Sequence, residues 1–72
     1  MVAQQNLILG LDFGGTKLAA GVFEPHSGRL LQAAQVETRA ALGAAAAVAD
    51  MLALVSTLPY DGKIAQVGVS FG

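Results

Sequence analysis

Apolar and polar positions divide the chain into short β-like runs and a single long helical one. Leu7 to Phe13 reads Leu-Ile-Leu-Gly-Leu-Asp-Phe, apolar on both faces, as in a central strand covered on two sides. Leu18 to Phe23 is a second strand. Gly21 inside it marks either close approach by a neighbour or a small residue beneath a helix. Arg29 to Glu37 mixes polarity around Leu31, Ala33 and Val36, which suits an edge strand whose charges discourage unwanted pairing. Ile64 to Phe71 forms the last strand, with Val67, Val69 and Phe71 alternating against Gly68 and Ser70. Between the third and fourth strands, Ala40 to about Leu58 predicts a helix. Leu42, Ala45, Ala49, Leu52 and Val55 recur at steps of three and four, and Val48, Met51 and Leu54 widen that stripe toward the whole circumference. Thr38 is the expected N-cap and Pro59 the stop.

The connections have their own chemistry. Gly14-Gly15 between two β-like runs predicts a two-residue type I′ hairpin, which needs positive φ at both central residues. Glu24-Pro25-His26-Ser27-Gly28 is a turn, with proline fixing φ and glycine able to take φ > 0. Tyr60-Asp61-Gly62-Lys63 is another; Asp61 there is turn chemistry before it is an acid, and His26 is a solvated turn residue before it is a base. Gly43 costs its helix about 1 kcal/mol relative to alanine, and the pattern gives no reason for it. Met1 to Asn6 forms a polar, frayed lead.

Composition narrows the possibilities. A chain of 72 residues makes one domain at most, near the lower limit for a self-sufficient core. Its hydrophobic fraction is 54% and its charged fraction 12%, against about 25% charged in an average globular protein. So few charges leave too little polar surface to coat a small sphere, so the chain is expected to be part of a larger body or to self-associate through an exposed sheet or helix surface. A net charge of −1 provides no basic footprint for nucleic acid. Cysteine is absent, which excludes disulfides and a cysteine-ligated zinc site and fits a cytoplasmic setting. No apolar run reaches the ~20 residues of a membrane span, and the N-terminus lacks the positive flank of a signal peptide.

Candidate chemistry gathers at the first hairpin. There Asp12 ends one strand and Thr16-Lys17 begin the next, on either side of Gly14-Gly15. A carboxylate, a hydroxyl, an ammonium and exposed backbone N–H groups would converge, a set suited to a phosphate and its metal ion. Glycine lets phosphate approach the backbone closely. Lys17 could offset phosphate charge, Thr16 could bond an oxygen, and Asp12 could hold Mg²⁺ through water, which magnesium surrenders reluctantly. Gly-Gly is equally a plain hairpin turn, and a lysine after a turn is ordinarily solvated. Asp12 favours the phosphate reading, because an acid following Leu-Ile-Leu-Gly-Leu is costly to bury unless paired or coordinated. The Walker loop is excluded, since it requires G-x-x-x-x-G-K-[ST] and a following helix.

Asp12-Phe13-Gly14-Gly15-Thr16-Lys17, followed by Leu-Ala-Ala-Gly-Val-Phe, closely resembles the first phosphate motif of the ROK family. That family comprises bacterial sugar kinases, glucokinases among them, and related repressors within the actin-like ATPase superfamily. The resemblance continues through Gly28 in the second turn to Val67-Gly68-Val69-Ser70-Phe71-Gly72, and so spans nearly the whole chain. It implies an α/β fold: a β-β-β-α-β, ribonuclease-H-like partial N-terminal lobe over residues 1–72, its mixed sheet ordered 3-2-1-4 with the fourth strand parallel to the first. It also implies phosphoryl transfer from ATP to a hexose hydroxyl. Gly14, Gly15 and Thr16 would line the phosphate turn with Lys17 in the same motif, either touching phosphate or bracing the hairpin. Asp12 would be the Mg²⁺-site acid, and Gly72 would lie near the sugar.

The family's catalytic-base aspartate, second phosphate motif, adenosine pocket and cysteine-rich zinc site match nothing here. The resemblance therefore implies a fragment with no catalytic residue of its own, inactive as an isolated chain. One alternative parent is a ROK-type sugar-responsive repressor, but those usually carry a helix-turn-helix segment before the motif, where this chain has only Met1 to Asn6. A non-catalytic, self-associating module is another.

Overall fold

The computed structural model describes residues 6–72. Strands β1 (Asn6–Phe13), β2 (Lys17–Phe23) and β3 (Leu30–Glu37) form an antiparallel meander. A 3-10 turn (Ala40–Leu42), helix α1 (Gly43–Ser56) and strand β4 (Lys63–Phe71) complete the chain. The sheet order is β3-β2-β1-β4, with β4 parallel to β1. Since β3 and β4 lie at opposite edges, the segment containing α1 must carry the chain across one face of the sheet. The fold is thus α/β with a mixed four-stranded sheet and one helix. None of its described helices is long and apolar enough to cross a membrane.

Alternation in β1 and β2 produces the core. Leu7 and Leu9 on β1, with Leu18, Ala20 and Val22 on β2, meet Met51, Leu54 and Leu58 from the helical side. Leu7, Leu18, Val22 and Met51 are the largest fully buried side chains, each contributing roughly 1.5–3 kcal/mol by removal from water. On the opposite face Gly10 and Gly21 are register partners beneath the Phe23 ring. A Cβ at Gly21 would stand 2.9 Å from Leu30 Cδ1, and one at Gly10 would stand 3.0 Å from Phe23 Cε2. The side chains of Phe23 and Leu30, rather than a helix, thus lie over Gly21.

Several expectations need correction. β1 is apolar on both faces, and α1 covers just one of them, as expected of so small a domain. Asn6, expected in a frayed lead, already pairs with Lys63 in the sheet; the rest of that lead, Met1 to Gln5, lies outside the described residues. The helix begins at Gly43 rather than Ala40, and its N-cap position is Leu42, with no side-chain cap. Gly43 takes φ 82° where the 3-10 turn passes into α1, a conformation other residues adopt at a cost. That supplies the missing reason for the glycine.

The buried helix face is also different. Leu42 and Leu52 are exposed, as are Ala45, Ala49 and Val48, whereas Met51, Leu54 and Leu58 pack on the sheet. A segment apolar nearly all round does not select a face by periodicity. A long-range ion pair distinguishes one flank: Arg39, just after β3, grips Asp50 through Nε–Oδ2 at 2.8 Å and Nη2–Oδ1 at 2.7 Å. This draws the Asp50 flank toward β3, where Val36, Arg39, Asp50, Ala53 and Thr57 line a shared groove.

Candidate phosphate turn

Gly14–Thr16 joins β1 to β2 at one end of the sheet. The Gly14 amide donates to the Lys17 carbonyl at 3.0 Å, so Gly15 and Thr16 are the central residues of the connection. Neither Gly14 nor Gly15 has positive φ, and the turn is not the expected type I′. The pairing is displaced by one residue and puts Thr16, a β-branched residue that disfavours positive φ, at the second central position. Glycine is needed at 14 for a different reason. A Cβ there would lie 2.8 Å from the Lys17 carbonyl oxygen, whereas one on Gly15 would meet nothing within 4 Å.

Both neighbouring strands end against this turn. Thr38 Oγ1 donates to the Gly14 carbonyl at 2.8 Å, and the Thr38 amide donates to the Thr16 carbonyl at 2.9 Å. From the other side, the Gly72 amide donates to the Phe13 carbonyl at 2.9 Å. Below it, the Phe13 and Phe71 rings stack with centroids 5.2 Å apart and planes 18° from parallel. Three carbonyls around the turn are thus engaged by donors from the residues just after β3 and β4, Thr38 and Gly72. Among the described residues, the amides of Gly15 and Thr16 donate to no protein acceptor.

Asp12 and Lys17 flank these amides. Asp12 is exposed, paired in register with Ala19 on β2 and Ser70 on β4. Its expected burial is not observed, because the face it occupies is open to solvent. That face is shallowly concave, about 460 Å³ in volume, with Gly10, Asp12, Ala19, Gly21, Phe23 and Ser70 among its lining residues. Lys17 is exposed and lies across from Glu37, and among the described residues it makes no ion pair. No group of three or more carboxylate, imidazole or thiol side chains suited to a metal stands together among the described residues. A lone carboxylate beside exposed amides, a hydroxyl and an ammonium is a donor set that fits phosphate oxygens with a largely hydrated Mg²⁺.

The fold brings together Asp12, Gly14, Gly15, Thr16, Lys17 and Gly72, the last with its N–H on the Phe13 carbonyl. Thr38 belongs with them, although its sequence context suggests only a helix cap. Its contact with Gly14 spans 24 positions, and no local pattern reports it.

The second turn is built separately. The Glu24 carboxylate accepts from the Ser27 hydroxyl at 2.6 Å and from the His26 and Ser27 amides at 2.8 Å, while Gly28 takes φ 72°. These bonds, led by that from the Ser27 hydroxyl, lower the Glu24 pKa to about 2. His26 is exposed and contributes its backbone, as befits a turn residue.

In comparisons with known proteins, no family model, no curated protein and no solved structure matched this chain significantly.

Proposed function

We propose that this chain carries the phosphate-binding turn of an ATP-dependent sugar kinase of the ROK type, within a ribonuclease-H-like lobe. The observation that carries the reading is the turn itself: amides at Gly15 and Thr16 with no acceptor among the described residues, in a connection flanked in the chain by an exposed Asp12 and an exposed Lys17. The β3-β2-β1-β4 sheet and its crossover helix support the fold assignment, and Asp12-Phe13-Gly14-Gly15-Thr16-Lys17 supports the family.

Phosphoryl transfer depends mainly on positioning and charge stabilisation. In this reading the Gly15 and Thr16 amides and the Thr16 hydroxyl bind phosphate oxygens, and Lys17 offsets their charge. Asp12 would hold Mg²⁺, which would neutralise charge on the phosphates. The structure holds Asp12 and Gly72 at adjacent strand ends, so phosphate and sugar hydroxyl would approach from the same end of the sheet. The site accounts for binding, while sugar-dependent turnover is not expected of it alone, because kinases of this superfamily close two lobes around their substrates.

The test is titration of the 72-residue chain with Mg²⁺·ATP, followed by amide chemical shifts. Saturable changes at Gly15 and Thr16 are expected, with D12N abolishing the Mg²⁺-dependent part and K17A weakening binding about tenfold. Shifts scattered away from the turn, or none, would sink the reading. Glucose-dependent ATP hydrolysis lost in D12N would overturn the view that the chain alone is inactive.

A further inference from the structure

We infer that Thr38 is a positioning residue of the phosphate turn, an inference that rests on the phosphate-binding reading above. The argument turns on peptide geometry. In a trans peptide the carbonyl of one residue and the N–H of the next point in opposite directions across a rigid plane. Thr38 Oγ1 holds the Gly14 carbonyl at 2.8 Å, and so aims the Gly15 N–H away from Thr38. A second bond, from the Thr38 amide to the Thr16 carbonyl at 2.9 Å, ties down the other end of the turn. The two bonds come from one residue, immediately after β3, and leave the turn little freedom to rotate its peptides.

This matters because neither central residue is anchored otherwise. A Cβ added to Gly15 would meet nothing within 4 Å, so packing does not fix the peptide. Without a donor on its carbonyl, the Gly14–Gly15 peptide is free to flip, and its N–H then no longer faces an incoming phosphate oxygen. Thr38 touches no phosphate in this scheme. It acts through the Gly14–Gly15 peptide, which distinguishes it from Thr16 in the motif itself.

T38V removes the hydroxyl donor, retains the shape and leaves the backbone bond to Thr16; T38S retains the hydroxyl. Both are compared with the wild-type chain by titration with Mg²⁺·tripolyphosphate, reading amide shifts. Binding about tenfold weaker is expected for T38V, with the Gly15 response the most reduced, an unchanged spectrum elsewhere and recovery in T38S. Wild-type binding that T38V fully retains overturns the role of Thr38 and leaves the phosphate reading standing. A wild-type chain that does not respond overturns the phosphate reading and this inference with it. A folded T38S that binds as weakly as T38V also overturns the role of the hydroxyl.

Discussion

The two halves of the sheet carry similarly apolar strands and bury them very differently. On β1 and β2, Leu7, Leu9, Leu18, Ala20 and Val22 lie under α1 and are buried. On β4, Val67, Val69 and Phe71 are register partners of Leu9, Leu11 and Phe13 and therefore share the helix-facing side. They are nonetheless 55%, 51% and 78% exposed. The helix packs on β2 and β3, and its Asp50 flank is drawn toward β3 by Arg39. One 14-residue helix covers part of a four-stranded sheet, and on β4 only Ile64, beside Leu7, packs against the core. A strand's apolar pattern thus specifies which side could be buried, while the helix decides whether it is.

The largest effect should separate the halves directly. Met51→Ala removes a fully buried side chain and should cost about 2–5 kcal/mol in urea unfolding, a large share of the stability of so small a domain. Val69→Ala should change it by less than about 0.5 kcal/mol, and Val69→Lys should lower the weight-average mass in sedimentation if the exposed β4 surface mediates self-association. Equal destabilisation by Met51→Ala and Val69→Ala would mean that β4 is covered after all.

The turn between β1 and β2, at one end of the covered half, gives the next contrast. Gly14→Ala would force a Cβ to 2.8 Å from a backbone oxygen and should cost about 1–3 kcal/mol by thermal melts. Gly15→Ala, with open space and no positive φ, should stay within about 0.5 kcal/mol. A cost at Gly15→Ala as large as that at Gly14→Ala would show that both glycines take the positive φ of a type I′ turn after all.

The smallest effect lies in the covered half, at the turn after β2. The folded Glu24 carboxyl titrates near 2, below its ordinary 4.5, so its contribution is complete above pH 4.5 and disappears as pH falls toward 2. Asp50, also held below its ordinary range by the hydrogen bond from Arg39, loses its contribution in the same direction. Glu24→Gln should therefore flatten, without abolishing, the acid-side decline of the melting temperature, by a few degrees at most because the group is solvent-screened. An identical decline in both proteins would show that the Ser27 and amide bonds to Glu24 contribute nothing.

The element order and the identity of the turn residues were legible because they rest on local pattern: apolar runs at β1 and β2, alternation in β4, a breaker at Pro59, and glycines with Asp12, Thr16 and Lys17 in one stretch. The resemblance to a known motif supplied the strand order, which periodicity leaves open. Three matters were settled only in three dimensions. A helix apolar nearly all round, from Ala44 to Val55, has no face that periodicity can single out, and its face is the one on which Met51 and Leu54 meet β1 and β2, with the exposed Arg39–Asp50 pair on its flank. The turn's φ angles followed from a one-residue displacement of the hairpin bond, which depends on Lys17 and Thr16 as well as on the glycines. Thr38 reads as a helix cap from its neighbours, caps no helix, and is a clamp on Gly14 because β3 ends beside the β1–β2 turn. Local sequence determines which backbone states and which faces are available. Contacts between residues far apart in the chain choose among them, since only there do an unpaired carbonyl and a spare hydroxyl meet.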